Sequence, residues 1–158
     1  MIPPFDENGN IPPQDDLYKP NLDEFIDRFV NVEHIETRKG LFSNYNRYCR
    51  RFKRILTKIW IDGSFTTEKL KPADIDLTVH YDVFKCDNLK IFPFLEKSKF
   101  FDKSYVKKEY NCHTQYVPVY PKDDLRYKLT EIQVKAWQKH FTKDRSGNPK
   151  GLIELNLP

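Results

Sequence analysis

The chain has 158 residues, of which 39% are hydrophobic, 32% charged and 15% aromatic. This length suits about one domain with a buried core, and the aromatic share argues against a disordered chain. No apolar run approaches the roughly 20 residues of a membrane span, and residues 1–7 lack the basic start and apolar stretch of a signal peptide. The scattered, odd set of three cysteines argues against a disulfide framework. We therefore expect a cytoplasmic protein without membrane insertion, with a single domain over residues 1–158.

The net charge of +4 is unevenly distributed along the chain. Residues 1–20 hold four acids and one base, a net charge of −3, which leaves +7 on the rest. Residues 37–61 hold eight bases and no acid. Two interpretations stay open for this basic stretch: the solvated face of a helix, or a surface that attracts phosphates.

The first half of the chain predicts an arm and two helices. Five of the eleven prolines fall in residues 1–20 and flank the turn-forming residues 8–10, which predicts an extended arm with a tight turn. Asn21 is a good N-cap, so the first helix should begin just after it. Apolar residues at helical spacing predict a longer second helix over residues 37–58.

The pattern then changes to period two, which is typical of strands. We predict a short strand over residues 59–62 and a half-buried strand over 74–81. Asp87 should cap a helix reaching Lys97, and residues 107–120 should form one long strand. A last helix, with Ile132, Trp137 and Phe141 as its apolar stripe, is followed by a strand over 151–155. This order predicts an α+β fold with a mixed or antiparallel sheet flanked by helices.

Residues 61–77 contain the candidate chemistry. A predicted strand ends at Gly63, where no Cβ obstructs a ligand, and Ser64 adds a small hydroxyl. A helix beginning there would offer free N–H groups to phosphate oxygens. Ten residues after Ser64, Asp74 and Asp76 stand two apart on a strand, so both carboxylates lie on one face. Two oxygen ligands side by side suit Mg²⁺, which is often shared with substrate phosphates.

Gly63-Ser64 followed by Asp74-x-Asp76, placed strand, turn, strand, resembles the signature of the DNA polymerase beta-like nucleotidyltransferase superfamily. The specific part of the resemblance covers residues 59–81. More loosely, residues 2–13 and 144–151 look like a poorly characterised family of small stand-alone bacterial proteins with this nucleotidyltransferase-like fold. The resemblance implies that Gly63 and Ser64 bind the nucleotide. It also implies that Asp74 and Asp76 are catalytic and hold two divalent ions, Mg²⁺ or Mn²⁺.

The implied reaction moves a nucleoside monophosphate from an NTP or dNTP to a hydroxyl acceptor, with release of pyrophosphate. The acceptor is open between a nucleotide, a nucleic acid end and a protein hydroxyl. Small members of the superfamily are similar to components of bacterial toxin–antitoxin and antiphage systems, which implies a cognate toxin or effector protein as partner. The basic stretch would then bind the triphosphate or nucleic acid. Because the chain has room for little beyond a catalytic core, we expect substrate choice to depend on a partner or on homo-oligomerisation.

The sequence departs from the superfamily pattern at the third carboxylate, which is expected on a neighbouring strand. Gln115 stands about where this acid is expected, and a neutral amide holds a cation less well and cannot act as a base. Glu109 shares its face by the predicted register but lies roughly 20 Å away along an extended strand. Asp102 and Asp123 are weaker substitutes. Because of this departure, two hypotheses stay open: an active nucleotidyltransferase, or an inactive antitoxin or regulator that docks a protein partner. In a third hypothesis, the motif is a coincidence in an unrelated α+β domain.

Other polar residues give weaker signals. Asp62 is interpreted as hydrogen-bonding the turn that follows its strand. Arg145 and Lys150 flank a loop, so they either reach a triphosphate or belong to an exposed hairpin turn. Cys112 and His113 have no second Cys or His at ligand spacing, so we do not expect a zinc site.

Overall fold

The computed structural model describes residues 1–157 and has an α+β fold built on one mixed sheet of four strands. The strands are β1 Leu56–Asp62, β2 Ile75–Asp82, β3 Cys112–Val119 and β4 Ile153–Leu155. Their order across the sheet is β3-β2-β1-β4. β1 is antiparallel to both β2 and β4, whereas β3 is parallel to β2. The predicted α+β class and mixed sheet are confirmed.

Helices flank the sheet. They are α1 Leu22–Phe29, α2 Ile35–Phe52, α3 Val83–Asp87, α4 Phe94–Phe101, α5 Lys103–Tyr110 and α6 Tyr127–Phe141. As predicted, Asn21 caps α1, because its side-chain oxygen accepts the N–H of Glu24 at 2.8 Å. Within residues 1–157, no helix has the length and apolar character needed to cross a membrane.

Two predicted helices have other bounds in the structure. α2 ends at Phe52 instead of residue 58, because residues from Leu56 onward pair with β2. The helix predicted from Asp87 is also wrong: α3 ends at Asp87, and α4 begins after Pro93. Here Asp82 provides the cap, since its carboxylate accepts the N–H of Lys85 at 3.0 Å. Strand pairing and this unrecognised cap override the local helical pattern.

The long strand predicted over residues 107–120 begins as a helix, because residues 107–110 belong to α5. Asp102 caps α5 by accepting the N–H of Tyr105 at 3.0 Å. Asn111 ends the helix in the left-handed conformation, with φ of 51°, and β3 begins at the next residue. Glu109 therefore lies on a helix, so the strand register used to place it on the face of Gln115 does not apply.

The two faces of the sheet differ sharply, because side chains alternate between them. On one face, Ile59, Ile61 and Leu77 are fully buried in the main apolar core. This core also contains the large aromatic residues of the helices: Phe25, Phe29, Tyr45, Tyr48, Phe52, Phe100 and Tyr110. The opposite face carries polar and charged residues, among them Asp62 and Asp76. The candidate site lies on this second face.

α6 packs against β3 with few buried residues. Thr130 is its buried residue, and the Thr130 hydroxyl donates to the Pro118 carbonyl at 2.8 Å while accepting the Tyr120 N–H at 3.0 Å. Ile132 is 54% exposed, so the predicted apolar stripe of this helix is only partly covered. Polar contacts and half-buried side chains therefore hold α6 in place.

Residues 1–20 form an arm without helix, which lies along the C-terminal segment. Tyr18 forms a parallel bridge with Ile153. The Gly151 N–H donates to the Ile11 carbonyl at 2.7 Å. The Tyr18 hydroxyl donates to the Pro12 carbonyl at 3.0 Å. These contacts join the two ends of the chain beside β4.

Candidate functional site

The four predicted site residues line one cleft, which lies at the end of β1 and the beginning of β2. Gly63, Ser64, Asp74 and Asp76 all contribute to its wall, and its volume is about 1110 Å³. The opposite wall comes from the end of α6 and the loop that follows it, residues 136–150. Two segments far apart in sequence therefore meet across this cleft.

Gly63 and Asp76 are in direct contact. Gly63 has φ of 73°, a conformation that favours glycine. A Cβ on Gly63 would lie 1.8 Å from Oδ2 of Asp76 and 2.7 Å from its Cγ. The pairing of β1 with β2 causes this approach, because Asp62 and Asp76 are partners in the register. The glycine is thus required by both its conformation and the carboxylate packed on it.

The helix expected after Gly63 is a single turn of 3-10 helix, Gly63–Thr66. Buried Arg38 holds this turn, since its guanidinium donates to the carbonyls of Phe65 at 2.7 Å and Thr67 at 3.1 Å. Arg38 also donates to the Phe29 carbonyl at 2.8 Å. Arg38 is therefore a structural clamp behind the site, and it does not face a ligand.

Each acid of the Asp-x-Asp pair already contacts a base. Asp74 Oδ2 lies 3.5 Å from Lys107 Nζ, and Asp76 Oδ1 lies 3.1 Å from His113 Nδ1. Both carboxylates are about a quarter exposed, at 25% and 26%. A cation that binds here must compete with these side chains or displace them.

Asp62 forms a third pair, with Lys150. Its Oδ1 lies 2.6 Å from Lys150 Nζ, and each side chain is only 7% exposed. Burial raises the pKa of Asp62, while Lys150 and the Gly63 N–H act in the opposite direction. The predicted role of Asp62 at the turn was therefore incomplete. Lys150 and Arg145 both line the cleft, so the loop that carries them is part of this site.

Gln115 lines the cleft with the two acids, but it does not lie opposite either one. In the parallel register, Gln115 pairs with Thr78, whereas His113 pairs with Asp76. The Gln115 side-chain oxygen accepts a hydrogen bond from Lys103 Nζ at 2.8 Å. The residue across from Asp76 is therefore a histidine, which the sequence did not reveal because the register of β2 and β3 cannot be read from one chain segment alone.

The other candidates for a third acid lie outside the cleft. Glu109 contacts Arg47 at 2.7 Å on the helical side of the molecule. Asp102 is used as the cap of α5, and Asp123 is exposed. None of these three carboxylates lines the cleft, so none replaces the missing acid.

Asp74 and Asp76 suit a metal ion of one particular kind. Across residues 1–157, no three His, Cys, Asp or Glu side chains are gathered closely enough to hold an ion by themselves. Mg²⁺, however, is often bound by one or two carboxylates together with substrate phosphates. The residues therefore fit an ion that arrives with a phosphate-bearing substrate. A zinc pair of Cys112 and His113 does not form, because Cys112 is buried in the core while His113 lines the cleft.

The bases of the cleft are not those of the predicted basic stretch. Five Lys and Arg side chains line it: Lys69, Lys139, Lys143, Arg145 and Lys150. None of the eight bases of residues 37–61 does so, so the geometry does not support seating a triphosphate against that stretch. Arg51, for example, contacts Glu96 at 2.8 Å on the other side of the sheet.

A buried polar group lies on the same face of the sheet as the cleft, nearer the other end of β2. His80 is fully buried, and its ring is centred 4.4 Å from that of Trp60. Neither ring nitrogen has a hydrogen-bond partner in the described part of the protein. Burial lowers the pKa of His80 to about 3, so this histidine is neutral in the folded protein.

Fold and site together define an α+β protein with a polar cleft, lined by paired acids and bases, at one end of a mixed sheet. The chain belongs to the DUF6932 family, described as a family of unknown function, which matches residues 3–156. The match includes the N-terminal arm, both walls of the cleft and β4. No curated protein and no solved structure matches the chain.

Proposed function

We propose that this protein is a metal-dependent nucleotidyltransferase with a nucleotidyltransferase-like fold. It would transfer a nucleoside monophosphate from an NTP or dNTP to a hydroxyl acceptor. The acceptor oxygen forms a bond to the α-phosphorus, the bond to the pyrophosphate oxygen breaks, and the acceptor's proton leaves to water. The acceptor class is a nucleotide, a nucleic acid end or a protein hydroxyl.

The observation that carries the proposal is the contact between Gly63 and Asp76. The Gly-Ser turn and the Asp-x-Asp strand were separate features in the sequence, and the register of β1 and β2 puts them together. A phosphate chain beside Ser64 would therefore lie next to both carboxylates. This juxtaposition is what a shared phosphate and metal site requires.

Different residues of the cleft would have different roles in the reaction. Asp74 and Asp76 would hold Mg²⁺ or Mn²⁺ together with the phosphates. The ion would supply Lewis-acid polarisation at the phosphorus centre and neutralise the charge of the leaving group. Ser64 would donate to a phosphate oxygen, and the bases of residues 139–150 would offset the remaining negative charge.

A transfer assay tests the proposal. The protein is incubated with each labelled ribo- and deoxyribonucleoside triphosphate plus Mg²⁺ or Mn²⁺, and pyrophosphate and labelled product are measured. We expect turnover with at least one triphosphate, and its loss in the double variant Asp74→Asn/Asp76→Asn. The matched control is Asp15→Asn/Asp123→Asn, which removes two exposed carboxylates outside the cleft.

Candidate acceptors are supplied as a nucleotide mixture, as RNA and DNA ends, and as cell protein, so that a missing acceptor does not hide activity. An absence of turnover with every triphosphate and acceptor contradicts the proposal. Turnover that persists in the Asp74/Asp76 double variant contradicts it as well, because the carboxylates would then be dispensable.

One observation favours a second candidate function, an inactive nucleotidyltransferase-like antitoxin or regulator. Asp74 and Asp76 each contact a side chain of the protein itself, Lys107 and His113. Both acids therefore have partners without any ion. This alternative predicts that nucleotide binding, measured by calorimetry, survives Asp74→Asn/Asp76→Asn and that no product forms.

The cellular setting follows from the same proposal. We place the protein in the cytoplasm, where its three cysteines, all free and buried, remain reduced. Its partner would be a cognate toxin or effector protein of a bacterial defence or toxin–antitoxin system, or a second copy of the chain. Affinity capture from the native host, followed by identification of the bound protein, tests this assignment.

A further inference from the structure

Lys150 reaches the cleft from a segment that is fixed at several points. The Lys150 N–H donates to the Thr142 carbonyl at 2.9 Å, and the next N–H, of Gly151, donates to the Ile11 carbonyl at 2.7 Å. Asp144 joins the same loop to the arm, since its carboxylate accepts from the Asn10 side chain at 3.0 Å. The backbone of Lys150 is thus held by both α6 and the arm.

Gly151 explains why the two ends of the chain must meet here. A Cβ at this position would lie 2.5 Å from Cε2 of Tyr18 and 2.8 Å from the Pro12 carbonyl oxygen. Only glycine lets the arm and the C-terminal segment pack this closely. The proline-rich arm and Gly151 therefore act together to position Lys150. The Gly-Ser and Asp-x-Asp motifs do not explain either feature.

The side chain of Lys150 ends in an unusual environment for a lysine. It is 7% exposed, contacts Asp62 at 2.6 Å, and yet lines the cleft. Asp62 in turn is the register partner of Asp76. A buried lysine–carboxylate pair is poor evidence for stability, because the cost of removing both charges from water can exceed their attraction. A binding role gives this pair a function at the cleft that stability alone does not explain.

We propose that Lys150 is a phosphate ligand of the cleft, aimed by Asp62 and held by the arm. Its ligand class is the pyrophosphate portion of a nucleoside triphosphate, and this identity rests on the proposed function. The ammonium group has three N–H donors. Asp62 occupies part of this capacity in the free protein, and phosphate oxygens take the donors that face the cleft. Lys150 thereby supplies positive charge on the side of the cleft away from Asp74.

This assignment makes Asp62 a positioning residue, and the two side chains should respond differently to substitution. Removing Lys150 removes the ligand itself. Replacing Asp62 with asparagine keeps the shape but removes the competing anion, so the lysine should bind phosphate at least as tightly. A merely structural pair would instead lose binding and stability together, whichever partner is changed.

Calorimetric titration with inorganic pyrophosphate and Mg²⁺ tests the proposal without any need for turnover. We expect Lys150→Met to weaken binding by about tenfold or more, Lys150→Arg to retain much of it, and Asp62→Asn to bind as well as the unchanged protein or better. The matched control is Lys58→Met, which breaks a lysine–carboxylate pair with Glu154 on the same sheet but outside the cleft. Circular dichroism and thermal unfolding verify that each variant is folded.

Three outcomes overturn the proposal: an unchanged protein that binds no pyrophosphate, a folded Lys150→Met variant that binds it normally, or an Asp62→Asn variant that loses binding as Lys150→Met does. The result is separable from that of the transfer assay. Loss of pyrophosphate binding in Lys150→Met with no transfer activity in any variant keeps the phosphate ligand and rejects the transferase. Transfer and pyrophosphate binding that both survive Lys150→Met keep the transferase and reject the ligand.

Discussion

The two faces of the sheet differ in their packing and in their charge. One face is closed by α1, α2, α4 and α5, and its aromatic side chains pack at ring-centre distances such as 5.1 Å between Phe52 and Phe100. The other face carries the buried Asp62–Lys150 pair, an open cleft and His80, whose ring is buried without a hydrogen-bond partner among residues 1–157. Strand alternation separates these environments by one residue along β1 and β2. Residues that build the apolar core and residues that line the candidate site therefore alternate along the same strands.

The largest expected effect comes from the cleft face. Asp76→Asn keeps the shape of the side chain but removes its negative charge, so transfer should fall about a thousandfold or more. The midpoint of thermal unfolding should change little, because Asp76 is partly exposed and its side chain contacts that of His113 at the open cleft. Transfer rates and thermal unfolding are measured on the same preparation. A large loss of stability would show that the cleft face also contributes to folding stability, which contradicts this division between the two faces.

On the closed face we expect the reverse, a large loss of stability with little change in transfer. Phe52 is fully buried between α2, α4 and α5, and Phe52→Ala should lower the free energy of unfolding by about 3–5 kcal/mol. Urea unfolding measures this loss. Transfer per folded molecule, assayed at low temperature, should stay within about twofold because no catalytic group moves. A folded variant with abolished transfer would show that the core also shapes the cleft.

A substitution at Gly63 should affect both the stability of the protein and the candidate site. Gly63→Ala forces a left-handed φ on a residue with a Cβ and pushes on the Asp76 carboxylate. We expect a loss of about 1–3 kcal/mol in unfolding free energy and a larger proportional loss of transfer. Gly40→Ala is the control, since a Cβ there meets nothing within 4 Å. An active, stable Gly63→Ala variant would contradict the contact on which the site is built.

His80 produces the smallest effect, and it depends on pH. Its folded pKa of about 3 lies below the unfolded value of 6.5, so the folded state favours the neutral ring. The stability associated with this group is complete above pH 6.5 and is lost as the pH falls toward 3. Between pH 6.5 and 5 the loss should reach about 2 kcal/mol.

Urea unfolding of His80→Leu at both pH values isolates this term, because the variant should lack this part of the pH dependence. His34→Asn is the control, since His34 is exposed. An identical acid sensitivity in the unchanged protein and in His80→Leu would show that other groups cause the loss.

Much of the fold could be predicted from local sequence patterns. The caps and alternations around Asn21, residues 59–62 and residues 74–81 gave the correct element types, because each local preference agrees with the packing. The errors fall where two signals compete. Asp82 and Asp102 cap helices, whereas the sequence pattern predicted a helix start at Asp87 and a Tyr-rich strand. The last residues of the second predicted helix form a strand instead, because they pair with β2.

The candidate site was predictable only in part, for a related reason. Gly63, Ser64, Asp74 and Asp76 lie within one short stretch, so strand geometry was enough to bring them together. His113 and the Asp62–Lys150 pair depend on strand register and on contacts between the chain ends, which a single sequence does not encode locally. The superfamily pattern put Gln115 where the third acid is expected, whereas the register of β2 and β3 puts His113 opposite Asp76.

The most direct test of the central claim is a crystal structure of the protein with Mn²⁺ and a non-hydrolysable triphosphate, using anomalous scattering to locate the ion. We predict an anomalous peak within coordination distance of both Asp74 and Asp76, shared with phosphate oxygens that lie beside Gly63 and Ser64. In this complex Lys107 and His113 should have released their carboxylates. A nucleotide bound elsewhere, or one bound in the cleft with both acid–base pairs intact and no ion between the aspartates, would contradict it.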